Sequence, residues 1–210
     1  MSDFFDEHYQ EYDAWYDKNK FAYLSELEAV KKALPGKGYG LEVGVGSGRF
    51  AAPLGITVGI DPSKKMVELA RERGVDARLG VGEKLPFKDS TFDYVAIIVT
   101  LCFVQDPEKV ITESARVLKP RGKLVIGIID KESFLGKFYQ KKGSIFYGHA
   151  RFFDIEEVTQ MLRAAGFNNF SYYQTIFDHP DKLRAVKKPL KGFGKGGFVV
   201  ISGEKNEDFC

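Results

Sequence analysis

The stretch Tyr39 to Phe50, YGLEVGVGSGRF, restricts what this chain can fold into more than any other. A short apolar run there delivers an acid, Glu42, and then three glycines at alternate positions, Gly44, Gly46 and Gly48, before the chain turns helical. Glycine supplies positive φ and close backbone approach, so the pattern is that of a strand entering a helix around a ligand-sized bend. A second β-branched run, Thr57 to Ile60, ends on Asp61, and Pro62-Ser63 open a helix through Lys64 to Arg73 that Gly74 closes.

The alternation continues. Ala77 to Leu79 and Phe92 to Thr100 read as strands, and Tyr94 to Val99 is apolar enough to be buried on both faces at the centre of a sheet. Pro107 to Leu118 is helical, Lys119-Pro120-Arg121-Gly122 turns the chain with one positive φ expected at Gly122, and Lys123 to Ile129 is again a strand. Asp154 to Ala165 is an amphipathic helix with Glu157 at the capping-box position, followed by strands at Phe170 to Phe177 and Phe198 to Ser202. Upstream, Phe21 to Leu34 carries Leu24, Leu27, Ala29, Val30 and Leu34 near one stripe. Strands alternating with helices imply an α/β fold with a mostly parallel sheet covered on both faces. Ligands then bind beyond the carboxyl ends of the strands, where Gly44, Asp61, Gly82 and Thr100 all fall.

At 210 residues and 44% hydrophobic, the chain is sized for a single domain over 1–210. Within it we expect an N-terminal lid and helix over 1–37, a nucleotide-binding core over 38–130, an irregular substrate cap over 131–151, and a last helix and strands over 152–210. A net charge of +2 is too mild for a nucleic-acid partner, which normally demands a strongly basic face. Two cysteines, Cys102 and Cys210, suggest neither a disulfide framework nor a metal centre, and fit a reducing cytoplasmic setting. No signal peptide and no run of about 20 apolar residues is present, so no membrane partner is expected.

Two nucleotides compete for the glycine loop. Gly46, Gly48 and Ala51 fit one frame of the dinucleotide fingerprint, which keeps a nicotinamide-dependent reductase open. Against it, Arg49 breaks the other frame, and the one Tyr-x-x-x-Lys spacing, Tyr16 with Lys20, lies upstream of the loop rather than downstream.

Beyond the loop, Glu42-Val43-Gly44-Val45-Gly46-Ser47-Gly48, Gly59-Ile60-Asp61-Pro62-Ser63 with Met66, and Gly82-Glu83-Lys84-Leu85-Pro86-Phe87 leading to Phe92-Asp93 occur in order. Asp106-Pro107 and Arg116-Val117-Leu118-Lys119-Pro120 follow. In these blocks the chain resembles the class I S-adenosylmethionine-dependent methyltransferases, in particular the small-molecule group related to the quinone-biosynthesis enzymes. The resemblance covers Tyr39 to Ile129 and implies a Rossmann-like seven-stranded, mostly parallel sheet with one antiparallel strand and an N-terminal helical lid. It implies S-adenosylmethionine as cofactor, a small-molecule methyl acceptor, and cofactor contacts at Glu42, Gly44, Gly46, Gly48, Ile60, Asp61, Met66, Gly82, Glu83, Thr100 and Leu101. Glu42 would hold the amino end and Asp61 the ribose diol, a charge-assisted bidentate arrangement; as structural roles, Asp61 would cap a helix and Glu42 would form an ion pair. The chain departs from the family at Val81, where an acid often meets the adenine amino group, and at Arg121, where a glycine is usual. A non-catalytic cofactor-binding module and a protein or RNA methyltransferase remain as other readings.

A sulfonium methyl is already activated, so positioning does most of the chemistry and no general base is obligatory. Of the three histidines, His149 lies in the expected cap and is the candidate base. Aromatic Tyr9, Tyr12, Trp15 and Tyr16 crowd an acidic leader and are candidates for the acceptor. No His/Asp/Glu cluster suggests a metal.

Overall fold

The computed structural model describes residues 2–142 and 145–207. Three helices lead: α1 (Ser2–Glu7), α2 (Tyr9–Lys18) and α3 (Lys20–Ala33). The core then runs β1 (Gly40–Val43), α4 (Ala51–Leu54), β2 (Val58–Asp61), α5 (Lys64–Glu72), β3 (Asp76–Leu79), β4 (Phe92–Ile98), α6 (Pro107–Val117) and β5 (Leu118–Ile129). After it come α7 (Phe134–Lys142), a 3₁₀ turn (Tyr147–His149), α8 (Ile155–Ala164), β6 (Phe167–Thr175), a second 3₁₀ turn (Pro180–Lys182), β7 (Leu190–Lys191) and β8 (Phe198–Lys205).

One sheet holds all the strands in the order β3-β2-β1-β4-β5-β8-β6-β7. The pairs β3–β2, β2–β1, β1–β4 and β4–β5 are parallel, and β8 runs antiparallel to β5 and β6. The sheet therefore has eight strands, not the expected seven. The additional one, β7, is a two-residue edge strand antiparallel to β6, too short to show an alternation within its basic surroundings. Strand order reverses between β1 and β4, which leaves a crevice at their carboxyl ends.

Along β4, side chains alternate between two cores, as a strand covered on both faces requires. Val95 and Ile97 join the cluster under α6 and α8, while Tyr94, Ala96 and Ile98 join the cluster under α3 and α5. The ends of the helices follow local chemistry. Asp154 and Glu157 form the expected reciprocal capping box on α8, and Ser63, rather than Asp61, caps α5 by accepting from the Met66 N–H.

Three expectations change. The segment 131–151 is not irregular throughout, since α7 occupies most of its first half. The buried face of α3 keeps Ala29 and Val30 of the expected stripe but not its three leucines, which are half-buried; Ala22, Ser25, Glu26 and Ala33 complete it, small residues for the most part, which let the helix lie close on β5, β6 and β8. Finally, the positive φ of the turn before the long part of β5 sits on Arg121, at 63°, and not on Gly122. Gly122 is needed for space instead, because a Cβ there would stand 2.8 Å from the Lys119 carbonyl oxygen. An arginine in the left-handed region is strained, and its ion pairs with Glu204 and Glu207 are long and exposed. We expect Arg121→Gly to leave the fold intact and to raise stability by about 0.5–1 kcal/mol, measured by urea unfolding.

Candidate functional site

Four strand ends supply one cleft of about 310 Å³. Its lining takes Val43, Gly44 and Gly46 from the turn after β1, Ile60, Asp61 and Pro62 from the end of β2, Gly80 to Glu83 after β3, and Val99 and Thr100 after β4. Met66 of α5 and Phe5 and Tyr12 of the leader complete the wall. At roughly 10–15 Å³ per water-sized group, the space suits about 20–30 non-hydrogen atoms, the size of a nucleoside bearing an amino acid chain.

The glycine turn is shaped for this. Gly44 has φ 71°, and a Cβ on it would lie 2.1 Å from Thr100 Cγ2, so no larger residue fits beneath the loop. Gly46 has φ 50° and nothing within 4 Å of where its Cβ would be, which leaves backbone open to the cleft. Gly48 does not reach the cleft. It lies against the Cα of Ala70, 3.1 Å from a notional Cβ, and serves the packing of α5 instead.

Asp61 is 8% exposed at the cleft floor. Its Oδ2 accepts the Gly46 N–H and its Oδ1 the Ser63 N–H, each at 2.9 Å, so both oxygens are fixed with a lone pair to spare. Burial pushes its carboxyl up to about 6 despite those two N–H groups, and the charge of Asp6 adds to the rise. Glu42 is 1% exposed and, among the described residues, forms no ion pair, contrary to the structural role open to it from sequence. Its Oε2 is buried without a hydrogen bond. Burial holds this carboxyl well above the usual range, Asp61 adds to it, and the Ala51 backbone N–H opposes it. A buried carboxyl oxygen left without a hydrogen bond is costly unless a partner arrives.

The cleft fits S-adenosylmethionine: an aspartate with two aligned oxygens for a diol and bare backbone for close approach. Glu42 is not among the lining residues and lies just behind the wall that Val43 and Gly44 form, so it would reach the amino end through an intervening group. Ile60 and Met66 supply apolar wall, while Val81 lies open at the rim. Glu83 is engaged elsewhere, its Oε1 accepting the Gln105 N–H at 3.0 Å, which ties the loop after β3 to the start of α6. Gly82 is needed for packing, since a Cβ would meet Val43 Cγ1 at 2.8 Å. Leu101, expected beside the cofactor, is instead in the apolar core, because the chain turns inward after Thr100; Phe103 and Val104 take the rim.

The leader closes over this rim. Asp13 of α2 binds Ser47 at 2.5 Å, Arg49 at 2.9 Å and Arg73 at 2.7 Å, and Asp6 of α1 takes the Ser63 hydroxyl and the Lys65 N–H. Burial works to raise the Asp13 carboxyl, but Arg49, Ser47 and Arg73 overcome it and hold the group at about 2. Its stabilising effect is thus present above the ordinary value of 3.8 and is lost as pH falls toward 2. We expect Asp13→Ala to cost about 1–3 kcal/mol, discounted for the partial exposure of its partners, and to speed proteolytic cleavage within the first 20 residues more than elsewhere.

A second cavity, of about 60 Å³, adjoins the cleft, and Tyr12 and Val99 line both. Trp15 and Tyr16 of α2 wall it, with Tyr139 of α7 and Tyr147 of the 3₁₀ turn opposite. At its base is Glu26, a residue that sequence reasoning passed over. Its signal was present: Glu26 shares a helical face with Ala22, Ala29, Val30 and Ala33. Two aromatic candidates behave otherwise. Tyr9 lies over the Lys65 ammonium, 6.0 Å from it, and lines neither cavity. His149 is exposed on the 3₁₀ turn with its ring 6.1 Å from Phe4, so the structure does not bring this candidate base to the site. Burial pushes the Cys102 thiol up to about 12, which leaves it un-ionised. Among the described residues there is no group of metal-ligating side chains and no helix long and apolar enough to cross a membrane.

Comparison with known proteins agrees with this geometry. The sequence profile of a methyltransferase-domain family matches residues 41–126. An uncharacterized protein of Methanocaldococcus jannaschii is 49% identical over 203 residues, 96% of this chain and 98% of its own length. A demethylmenaquinone methyltransferase of Tropheryma whipplei is 29% identical over 178 residues, 71% of this chain and 74% of its own. Among solved structures, a Thermotoga maritima protein described as a SAM-dependent methyltransferase, possible histamine N-methyltransferase, is 48% identical, with a TM-score of 0.95 over 98% of this chain and 100% of that one.

Proposed function

Because the chain belongs to the S-adenosylmethionine-dependent methyltransferases, we propose that it methylates a small molecule by in-line displacement, with the acceptor seated in the aromatic cavity beside the cofactor cleft. The cofactor, when bound, supplies an activated methyl on sulfur. The chain supplies placement. Asp61 would hold the ribose diol and Glu42, directly or through water, the amino end, and the Gly44–Gly46 backbone would lie against the cofactor. Phe5 and Tyr12 of the leader cover the cleft, which excludes water from the place where charge is redistributed.

The observation that carries the small-molecule reading is the shared wall. Tyr12 and Val99 line both cavities, and the second is closed in by α2, α3 and α7. A site of that size beneath a helical lid favours a compact free molecule over a side chain that must enter with its backbone or a stacked RNA base. Val99 is itself held at φ 51°, an outlier for a β-branched residue, and such strain collects where the fold fixes a functional geometry. The test is transfer of labelled methyl to a panel of small amines, phenols, thiols and carboxylic acids beside protein and RNA extracts. Label in a small acceptor is expected; label confined to macromolecules overturns the reading.

A further inference from the structure

The cavity beside the cofactor cleft has one feature that its aromatic walls do not explain. Glu26 is 5% exposed, and among the described residues its carboxylate takes part in no hydrogen bond or ion pair. Buried carboxylates are normally paired or hydrogen-bonded, so an unpaired one facing an open space marks a missing cation. The nearby hydroxyls do not fill that role, since Tyr16 donates to Tyr12 at 3.2 Å. Among the described residues, no lysine, arginine or histidine lines the space.

Building on the methyltransferase reading, we propose that this cavity is the acceptor site and takes a small cationic amine, its ammonium held by the Glu26 carboxylate among Trp15, Tyr16, Tyr139 and Tyr147. Three properties select that class. The faces of aromatic rings attract an ammonium and repel an anion. Glu26 lines the cavity and Asp61 the adjoining cleft, while Arg49, 5.8 Å from the Tyr16 ring, is already paired with Asp13 and Asp17, so the site offers an anionic phosphate or carboxylate no free cation. The space of about 60 Å³ holds roughly four to six water-sized groups, enough for a compact amine and too little for a polyamine.

Protonation is consistent with this assignment. Burial pushes the Glu26 carboxyl up to about 8, so near neutrality the free site carries a proton that an arriving ammonium displaces to solvent. The titratable groups facing it are Tyr12 and Tyr16 from α2, Tyr139 from α7 and Tyr147 from the 3₁₀ turn; burial raises all four, and they stay neutral. Asp181 reaches this set through Tyr139 alone. Once bound, the ammonium can return one N–H proton to Glu26: the N–H bond breaks, an O–H bond forms, and the nitrogen keeps its electron pair as a free lone pair. Glu26 would thus touch the acceptor and hold its proton.

Trp15 is the only tryptophan of the chain and lines the cavity, so its fluorescence reads occupancy without any turnover. The experiment titrates cofactor-free protein with n-propylamine and n-butylamine, and with n-butanol and butyrate as neutral and anionic counterparts. Saturable change with the amines alone is expected, with affinity at least tenfold weaker in Glu26→Gln and about three- to tenfold weaker in Tyr139→Leu, which removes a ring from a different helix. An absence of saturable change with either amine, or equal affinity in wild type and Glu26→Gln, overturns the proposal. Calorimetry with S-adenosylhomocysteine on the same protein separates the two readings. Homocysteine-nucleoside binding without amine binding sinks the amine site alone, whereas no binding of the nucleoside removes the methyltransferase reading beneath it.

Discussion

Asp61→Ala is expected to weaken S-adenosylhomocysteine binding by two orders of magnitude or more. Asp61 is the one cleft carboxylate whose two oxygens are both fixed, by the Gly46 and Ser63 N–H groups, and both keep a lone pair facing the cleft. Two charge-assisted hydrogen bonds to a diol are worth about 1.5–3 kcal/mol each, so losing both costs about 3–6 kcal/mol. Part of the effect is indirect, because Gly46 loses the partner that holds the turn at φ 50°. Asp61→Asn separates the contributions: it keeps the shape and one acceptor, and should fall between wild type and alanine. The binding also carries a pH signature. Burial sets the free carboxyl at about 6, and a diol that donates to it favours the ionised form, so affinity should fall as pH drops below 6 and level off above 7. Calorimetric titration from pH 5 to 8 reads both effects; a loss smaller than about fivefold for alanine would show that Asp61 is only a structural anchor.

What the sequence made legible was the set of local rules with a strong signature. Alternating runs and glycine punctuation placed β1, β2, β4 and the helices between them, and the order of acids and glycines at the strand ends placed the cleft. These are features of residues close in sequence. The misses have the opposite character. Arg121 took the left-handed position because Gly122 was already committed to clearing the Lys119 carbonyl, a three-dimensional competition that no propensity records. Leu101 went to the core although it follows a strand end, because the chain reverses direction within two residues. The buried face of α3 was misjudged because large apolar side chains usually mark the inward stripe, and here the close approach to the sheet favours alanine. That same choice hid Glu26, which occupies the inward face where an acid reads as a solvent residue.

Those buried acids make the second large prediction, that the cofactor-free protein loses stability as the solution turns alkaline. Glu26 has an ordinary value of 4.5 and is pushed up by burial to about 8 in the fold. A group raised on folding contributes stability that is fully present below the unfolded value and is lost as pH rises through the folded one. The window is therefore pH 4.5 to about 8, and its depth, at 1.36 kcal/mol per unit, is about 3–5 kcal/mol. Glu42 acts in the same direction, raised by burial with no hydrogen bond to its Oε2. Asp13 and Asp17 act in the opposite one, but their partners hold them low, so their effect is confined to pH below about 4 and leaves the alkaline window clear. Glu26→Gln should therefore melt within a degree or two of wild type at pH 5 and about 6–20 °C higher at pH 8.5, taking about 2–4 °C per kcal/mol for a chain of this size. An amine that fills the cavity should lift wild type toward the variant and leave the variant unchanged. Parallel melting curves for the two proteins across this pH range would mean that Glu26 is compensated in the free fold, and the site would then have no charge to offer a cation.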